Sequence, residues 1–209
     1  MIDILLIALA MTLLYMSIAN RLYTYLRILV LQGFILFGAT YFTLTNLSTI
    51  NLLLIMLETI VFKAIAVPWF INYVIKRNRI TRVAEPYLSN FASLIIVTSI
   101  IIVTIILSSS IKDENLDKTF FVVALSTLFT GLYLIVTRKK IITHVIGHIV
   151  IENGVFVLSL AVGNEMPMLV NLGIMLDIFA SVLILGVFFN KIGDVLNDPD
   201  VNLLRNLKD

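Results

Sequence analysis

Seven predominantly apolar runs, at 2–19, 28–45, 50–75, 91–107, 119–137, 141–162 and 168–189, follow one another with only short polar breaks between them. A helix needs roughly 20 apolar residues to cross the hydrocarbon core of a bilayer, and each run meets or approaches that length. In lipid every backbone N–H and C=O must be satisfied within its own segment, so such runs are expected as helices. The reading is an all-α integral membrane protein of about seven transmembrane helices, one domain over 1–190, followed by a short tail over 191–209. Breaks such as Asn20-Arg21, Asn46-Leu-Ser-Thr and Arg138-Lys-Lys are too short to hold a second soluble domain.

Composition agrees. Of 209 residues 60% are hydrophobic and 13% charged, against about 25% charged in a soluble domain. Mean hydropathy is +1.05. The net charge of +2 does not point to nucleic acid, because the basic residues sit in clusters between apolar runs instead of along one polar face. With no cysteine, the chain has no thiolate for an iron–sulfur cluster and no disulfide, so redox chemistry is expected in a partner. The opening Met1-Ile-Asp-Ile-Leu-Leu has no basic stretch before its apolar run and is read as a retained first helix.

Lys and Arg set the expected orientation, since short basic loops stay in the cytoplasm. With seven spans, Arg21, Arg27, Lys76, Arg77, Arg79, Arg82, Arg138, Lys139, Lys140, Lys191, Arg205 and Lys208 share one side, and Lys112 and Lys118 take the other. The expected topology is therefore an outside amino terminus and a cytoplasmic carboxy terminus, in a multi-pass protein of the inner (cytoplasmic) membrane. The tail mixes Val195, Leu196, Val201, Leu203, Leu204 and Leu207 with polar residues around Pro199, as a segment docking on a cytoplasmic partner does.

Ionisable groups inside the runs carry the functional expectation, because a charge at a helix centre costs roughly 2.5 to 3.5 kcal/mol to insert and persists where it has partners or a wet path. Glu58 and Lys63 share the third run, five residues apart, which on an α-helix turns them about 140° from each other, towards different neighbours. Pro68 lacks an N–H and frees the carbonyl of Ala64 beside Lys63. In the sixth run His144, His148 and Glu152 recur every four residues as one polar stripe that starts from the basic loop and descends about 12 Å from His144 to Glu152. Histidine titrates near neutral pH, and a stripe of this kind suits proton entry. The same spacing also fits a histidine at the interface and another bonded to a neighbouring backbone, and Glu58 with Lys63 also fits interhelical glue. Metal is not expected: Val145 stands where a zinc-protease helix has its Glu. Asp177 lies near the middle of the seventh run, within reach of Glu152 across an antiparallel pair. No pairing of nucleophile and base marks an intramembrane enzyme.

Gly147-His-Ile-Val-Ile-Glu152-Asn-Gly154-Val-Phe, followed by Pro167 and Asn171-Leu-Gly-Ile-Met-Leu-Asp177, resembles HyfE, the E component of hydrogenase-4 and related formate hydrogenlyase complexes. With the Glu58-to-Pro68 stretch, the likeness covers nearly the whole chain. Residues 119–189 are also similar to NuoK, a small membrane subunit of complex I, although Asp177 stands where the complex I type carries Glu. The resemblance implies a non-catalytic subunit in which Glu152 and Asp177, with Glu58, Lys63, His148 and His144, form part of an intramembrane proton or Na+ path. It further implies an antiporter-like large membrane subunit, a quinone-subunit-like anchor and a peripheral redox arm as partners. Nickel–iron and iron–sulfur centres are then expected in those partners and no cofactor in this chain. A structural scaffold subunit and an independent small secondary transporter are the alternative readings.

Overall fold

The computed structural model describes residues 1–43, 56–77, 86–112 and 116–162. They form helices without a single strand among them: α1 (Ile2–Ile18), α2 (Leu22–Thr43), a π-helical segment (Glu58–Ala66) running into α3 (Val67–Arg77), α4 (Asn90–Ser110), α5 (Lys118–Thr137) and α6 (Ile141–Ala161). Five helical spans, Leu22–Thr43, Thr59–Lys76, Asn90–Ser110, Lys118–Thr137 and Ile141–Ala161, are long and apolar enough to cross a membrane. Helix α1, with 17 residues, is apolar but shorter. The apolar run at 168–189, with Asp177, and the tail at 191–209 lie outside the described residues.

Local chemistry explains several boundaries. Ser89 caps α4 by accepting from the Ala92 N–H, and the Asp117 carboxylate accepts from the N–H groups of Thr119 and Phe120 at the start of α5, relieving donors that a helix end leaves without partners. Helix α2 starts at Leu22, earlier than the apolar run at 28–45 predicts. The buried residues Leu22, Tyr25, Leu26 and Leu29 form a helical stripe that packs inward, while Arg27 stays exposed on the other side.

The third span departs from the α-helix expected of it. Over Glu58–Ala66 it winds as a π-helix, in which the backbone bond joins residues five apart. Backbone positions 58 and 63 consequently lie about one turn apart, where an α-helix would turn them to divergent faces. Wide turns of this type recur at functional sites.

Helices α5 and α6 form the tightest pair. A Cβ on Gly131 would stand 2.7 Å from the Gly147 carbonyl and 2.8 Å from the Ile151 nitrogen, and one on Gly154 would stand 2.8 Å from the Leu128 nitrogen. The two backbones touch because these positions carry no side chain. Gly33 does the same for α2 against the π-helical segment, 2.7 Å from the Ala64 Cα. Hydrogen bonds identify the two ends of the bundle. Arg138 Nη2 donates to the Ser17 carbonyl at 2.6 Å, and Tyr87 N–H to the Thr137 carbonyl at 2.9 Å, at the end bearing the basic breaks; Asp117 N–H donates to the Ala161 carbonyl at 2.9 Å at the other.

Two apolar half-cores fill the bundle. Near the basic end Leu13, Met16, Leu29, Val97, Leu134, Ile146 and Val150 pack together. Towards the other end Leu6, Leu9, Leu36, Ala124, Phe156 and Val157 do so. On the outside, α4 exposes Ile95, Ile102, Val103, Ile105 and Ile106, a surface suited to hydrocarbon and not to water.

Candidate functional site: a polar layer at mid-depth

Between the two half-cores several helices contribute polar side chains. On α1, Thr12 lies between Leu9 and Leu13; on α2, Gln32 lies between Leu29 and Leu36; on α6, Glu152 and Asn153 lie between Val150 and Phe156. Ser126, Thr127 and Thr130 of α5, Thr104 of α4 and Lys63 of the π-helical segment are buried as well.

A hydrogen-bonded ladder crosses three of these helices. Asn153 Nδ2 donates to Gln32 Oε1 at 3.1 Å, Gln32 Nε2 donates to Thr12 Oγ1 at 2.9 Å, and Thr12 Oγ1 donates to the Leu9 carbonyl at 2.6 Å. On the far side of the bundle the hydroxyls of Thr104 and Ser126 meet at 2.7 Å. Gln32→Leu removes both amide bonds and leaves the Asn153 amide buried without its acceptor. We expect it to lower unfolding stability in detergent micelles by about 1 to 2 kcal/mol, and Thr12→Val to cost about 0.6 kcal/mol, in line with polar contacts between membrane helices.

Glu152 is the acidic member of this layer, 6% exposed on a helix of 21 residues and close to its middle. His148 Nε2 lies 3.2 Å from Glu152 Oε1. Glu152 Oε2, like Asn153 Oδ1 beside it, is buried and has no hydrogen-bond partner among the described residues. One turn further along α6, the Phe156 ring carries the Lys63 ammonium 4.1 Å from its centroid, a cation–π contact that partly compensates a desolvated charge.

The structure thus joins His148 to Glu152 and brings Lys63 to the same helix one turn away. His144 is placed differently: its Nε2 is 2.8 Å from the Arg138 carbonyl, at the end of the bundle, so the first member of the stripe is tied to the loop backbone and not to His148. Glu58 begins the π-helical segment. Among the described residues no group of three His, Asp or Glu is placed to hold a metal ion.

Gln32 and Thr12 are absent from the sequence-derived set, and Asn153 enters it only as context for Glu152. An amide in the apolar stretch Leu31-Gln32-Gly33 was the available signal, since an intramembrane amide demands a partner. Arg138 and Lys140, expected in a solvated loop, are each 1% exposed. Beyond its bond to Ser17, Arg138 sets its guanidinium 5.9 Å from the centroid of the Tyr25 ring.

No family model matches this chain, and no solved structure matches it. It is 21% identical over 156 residues to "Uncharacterized protein Rv0085" of Mycobacterium tuberculosis (strain ATCC 25618 / H37Rv), a match covering 73% of this chain and 71% of the relative.

Proposed function

We propose that this chain is a non-catalytic, HyfE-like subunit of a respiratory or hydrogenase-type complex that carries part of an intramembrane proton or Na+ path. The proposal includes seven transmembrane helices in the inner membrane with the amino terminus outside, an antiporter-like subunit and a quinone-subunit-like anchor as neighbours, and nickel–iron and iron–sulfur centres in a peripheral arm. The observation that supports it most is the polar layer between two apolar half-cores, with Glu152 in its middle. Polar groups at that depth are costly in hydrocarbon and become useful where an ion has to pass.

In this reading His148, whose side chain is 40% exposed, is the entry group and hands a proton along the 3.2 Å contact from its Nε2 to Glu152 Oε1. Glu152 Oε2, which has no hydrogen-bond partner among the described residues, is the exit atom. The amides of Asn153 and Gln32 hold no exchangeable charge; they keep the carboxyl's surroundings polar and its helix in register. Lys63 supplies a positive charge on the same side of α6 and, with Asp177 and Glu58, extends the path towards neighbouring subunits.

The test is ion translocation coupled to the native redox reaction in vesicles holding the assembled complex, wild type against Glu152→Gln at matched assembly. Translocation per turnover should fall by roughly tenfold or more while assembly stays intact, as for loss of a positioned proton-transfer group. Unchanged coupling overturns the proposal. Poor assembly with normal coupling in each assembled complex assigns the scaffold role instead.

A further inference from the structure

A groove of about 480 Å3 runs along the outside of the bundle between α2 and the span formed by the π-helical segment and α3. Its long walls are apolar, including Val30, Phe34, Ile65 and Pro68. Its polar residues gather at one end: Arg27 from the start of α2 and Lys76 from the end of α3, with Tyr23 and Asn72 beside them. The two helices run in opposite directions, so both cations stand at the end of the bundle that bears the basic breaks. Arg27 and Lys76 are exposed, and among the described residues neither is paired with an acid. Asn72 lines the groove beside the two cations, and its buried side-chain oxygen has no hydrogen-bond partner among the described residues. Trp69, at the groove's rim, stacks on Tyr73 with ring centroids 6.2 Å apart, the amphipathic pairing that settles at a membrane–water interface.

We propose that this groove is a binding site for one anionic phospholipid, taken from the leaflet at the basic end. The order of chemistry along the groove is the order along such a lipid. The phosphate meets Arg27 and Lys76, and an acyl chain lies along Val30, Phe34 and Ile65. A helix is about 10 Å across and does not fit a groove of this volume, and a free phosphate leaves its apolar length unused. Lys and Arg at the cytoplasmic surface attract anionic lipid, and basic pockets between membrane helices hold such headgroups. Selectivity here comes from the phosphate contacts, since lipid chains and the groove walls are equally apolar.

Trp69 is the single tryptophan of the chain, so its fluorescence reports on the groove. The full chain is reconstituted in phosphatidylcholine vesicles, and quenching of Trp69 is titrated with phosphatidylglycerol brominated on its acyl chains and, separately, with brominated phosphatidylcholine. Phosphatidylglycerol should reach half-quenching at about a tenfold lower mole fraction, as expected for two cations at the surface. Arg27→Gln with Lys76→Gln should bring the two lipids within about twofold of each other, and Val30→Phe should weaken quenching by narrowing the apolar wall. Arg21→Gln with Lys139→Gln, which removes two charges elsewhere at the same end, should keep the preference. Equal quenching by phosphatidylglycerol and phosphatidylcholine in the wild type, or equal loss of preference in the two charge-removing pairs, overturns the proposal.

Discussion

Gly131→Ala should destabilise the folded chain by about 2 to 3 kcal/mol, the upper part of the range for forcing a methyl into a filled core. The added carbon meets the Gly147 carbonyl and the Ile151 backbone nitrogen at 2.7 and 2.8 Å, and backbone cannot rotate aside as a side chain can. Relief requires α5 and α6 to separate, which opens the contact along Gly131, Gly147 and Gly154. Gly38→Ala is the contrasting case: among the described residues the methyl meets only the Leu5 side chain, with Cδ1 at 3.1 Å and Cδ2 at 3.7 Å. Leu5 is able to shift, so this change should stay within about 0.5 kcal/mol of wild type. Unfolding of the purified chain in mixed micelles, followed by circular dichroism, distinguishes the two. Similar midpoints for both variants would show that the approach of α5 to α6 is looser than the structure has it.

Arg138→Ala should cost about 2 to 4 kcal/mol in the same assay, and Arg138→Met clearly less. The arginine ties the loop between α5 and α6 to the Ser17 carbonyl near the end of α1, and lies beside the Tyr25 ring from α2. Alanine gives up the bond and also leaves a cavity where a long side chain lay. Methionine keeps the length. It also eliminates Nε and Nη1, two buried donors that meet no acceptor among the described residues and count against the folded state. Arg138→Lys should not restore the wild-type midpoint, because an ammonium cannot reproduce the planar fork. Equal effects of alanine and methionine would assign the whole contribution to charge.

How far the site was legible in the sequence differs residue by residue. Glu152, Lys63 and His148 stand out in any reading because an ionisable group in an apolar run is conspicuous and costly. The partners that Lys63 and the neighbouring Asn153 acquire were not legible: Phe156 under the Lys63 ammonium and Gln32 against Asn153 come from other helices, 93 and 121 positions away. His144 was legible as a member of a stripe, yet its ring is held by the Arg138 carbonyl, since the stripe's upper end coincides with the turn of the chain.

Apolar length and the spacing of polar breaks were enough, by themselves, to make this an all-helical chain with spans suited to a membrane, because a continuous apolar run of about 20 residues satisfies its own hydrogen bonds in hydrocarbon as a helix. The tertiary structure decided what hydropathy cannot encode. It wound Glu58–Ala66 as a π-helix where an α-helix was expected. It drew Arg138 and Lys140 out of water, at 1% exposure each. It also gathered scattered Thr, Gln, Asn and Glu side chains into one layer between two apolar half-cores. The reason is that helix formation depends on each segment's own chemistry, whereas depth, facing and partner depend on which backbones come close, and here glycines at a few crossing points set that approach.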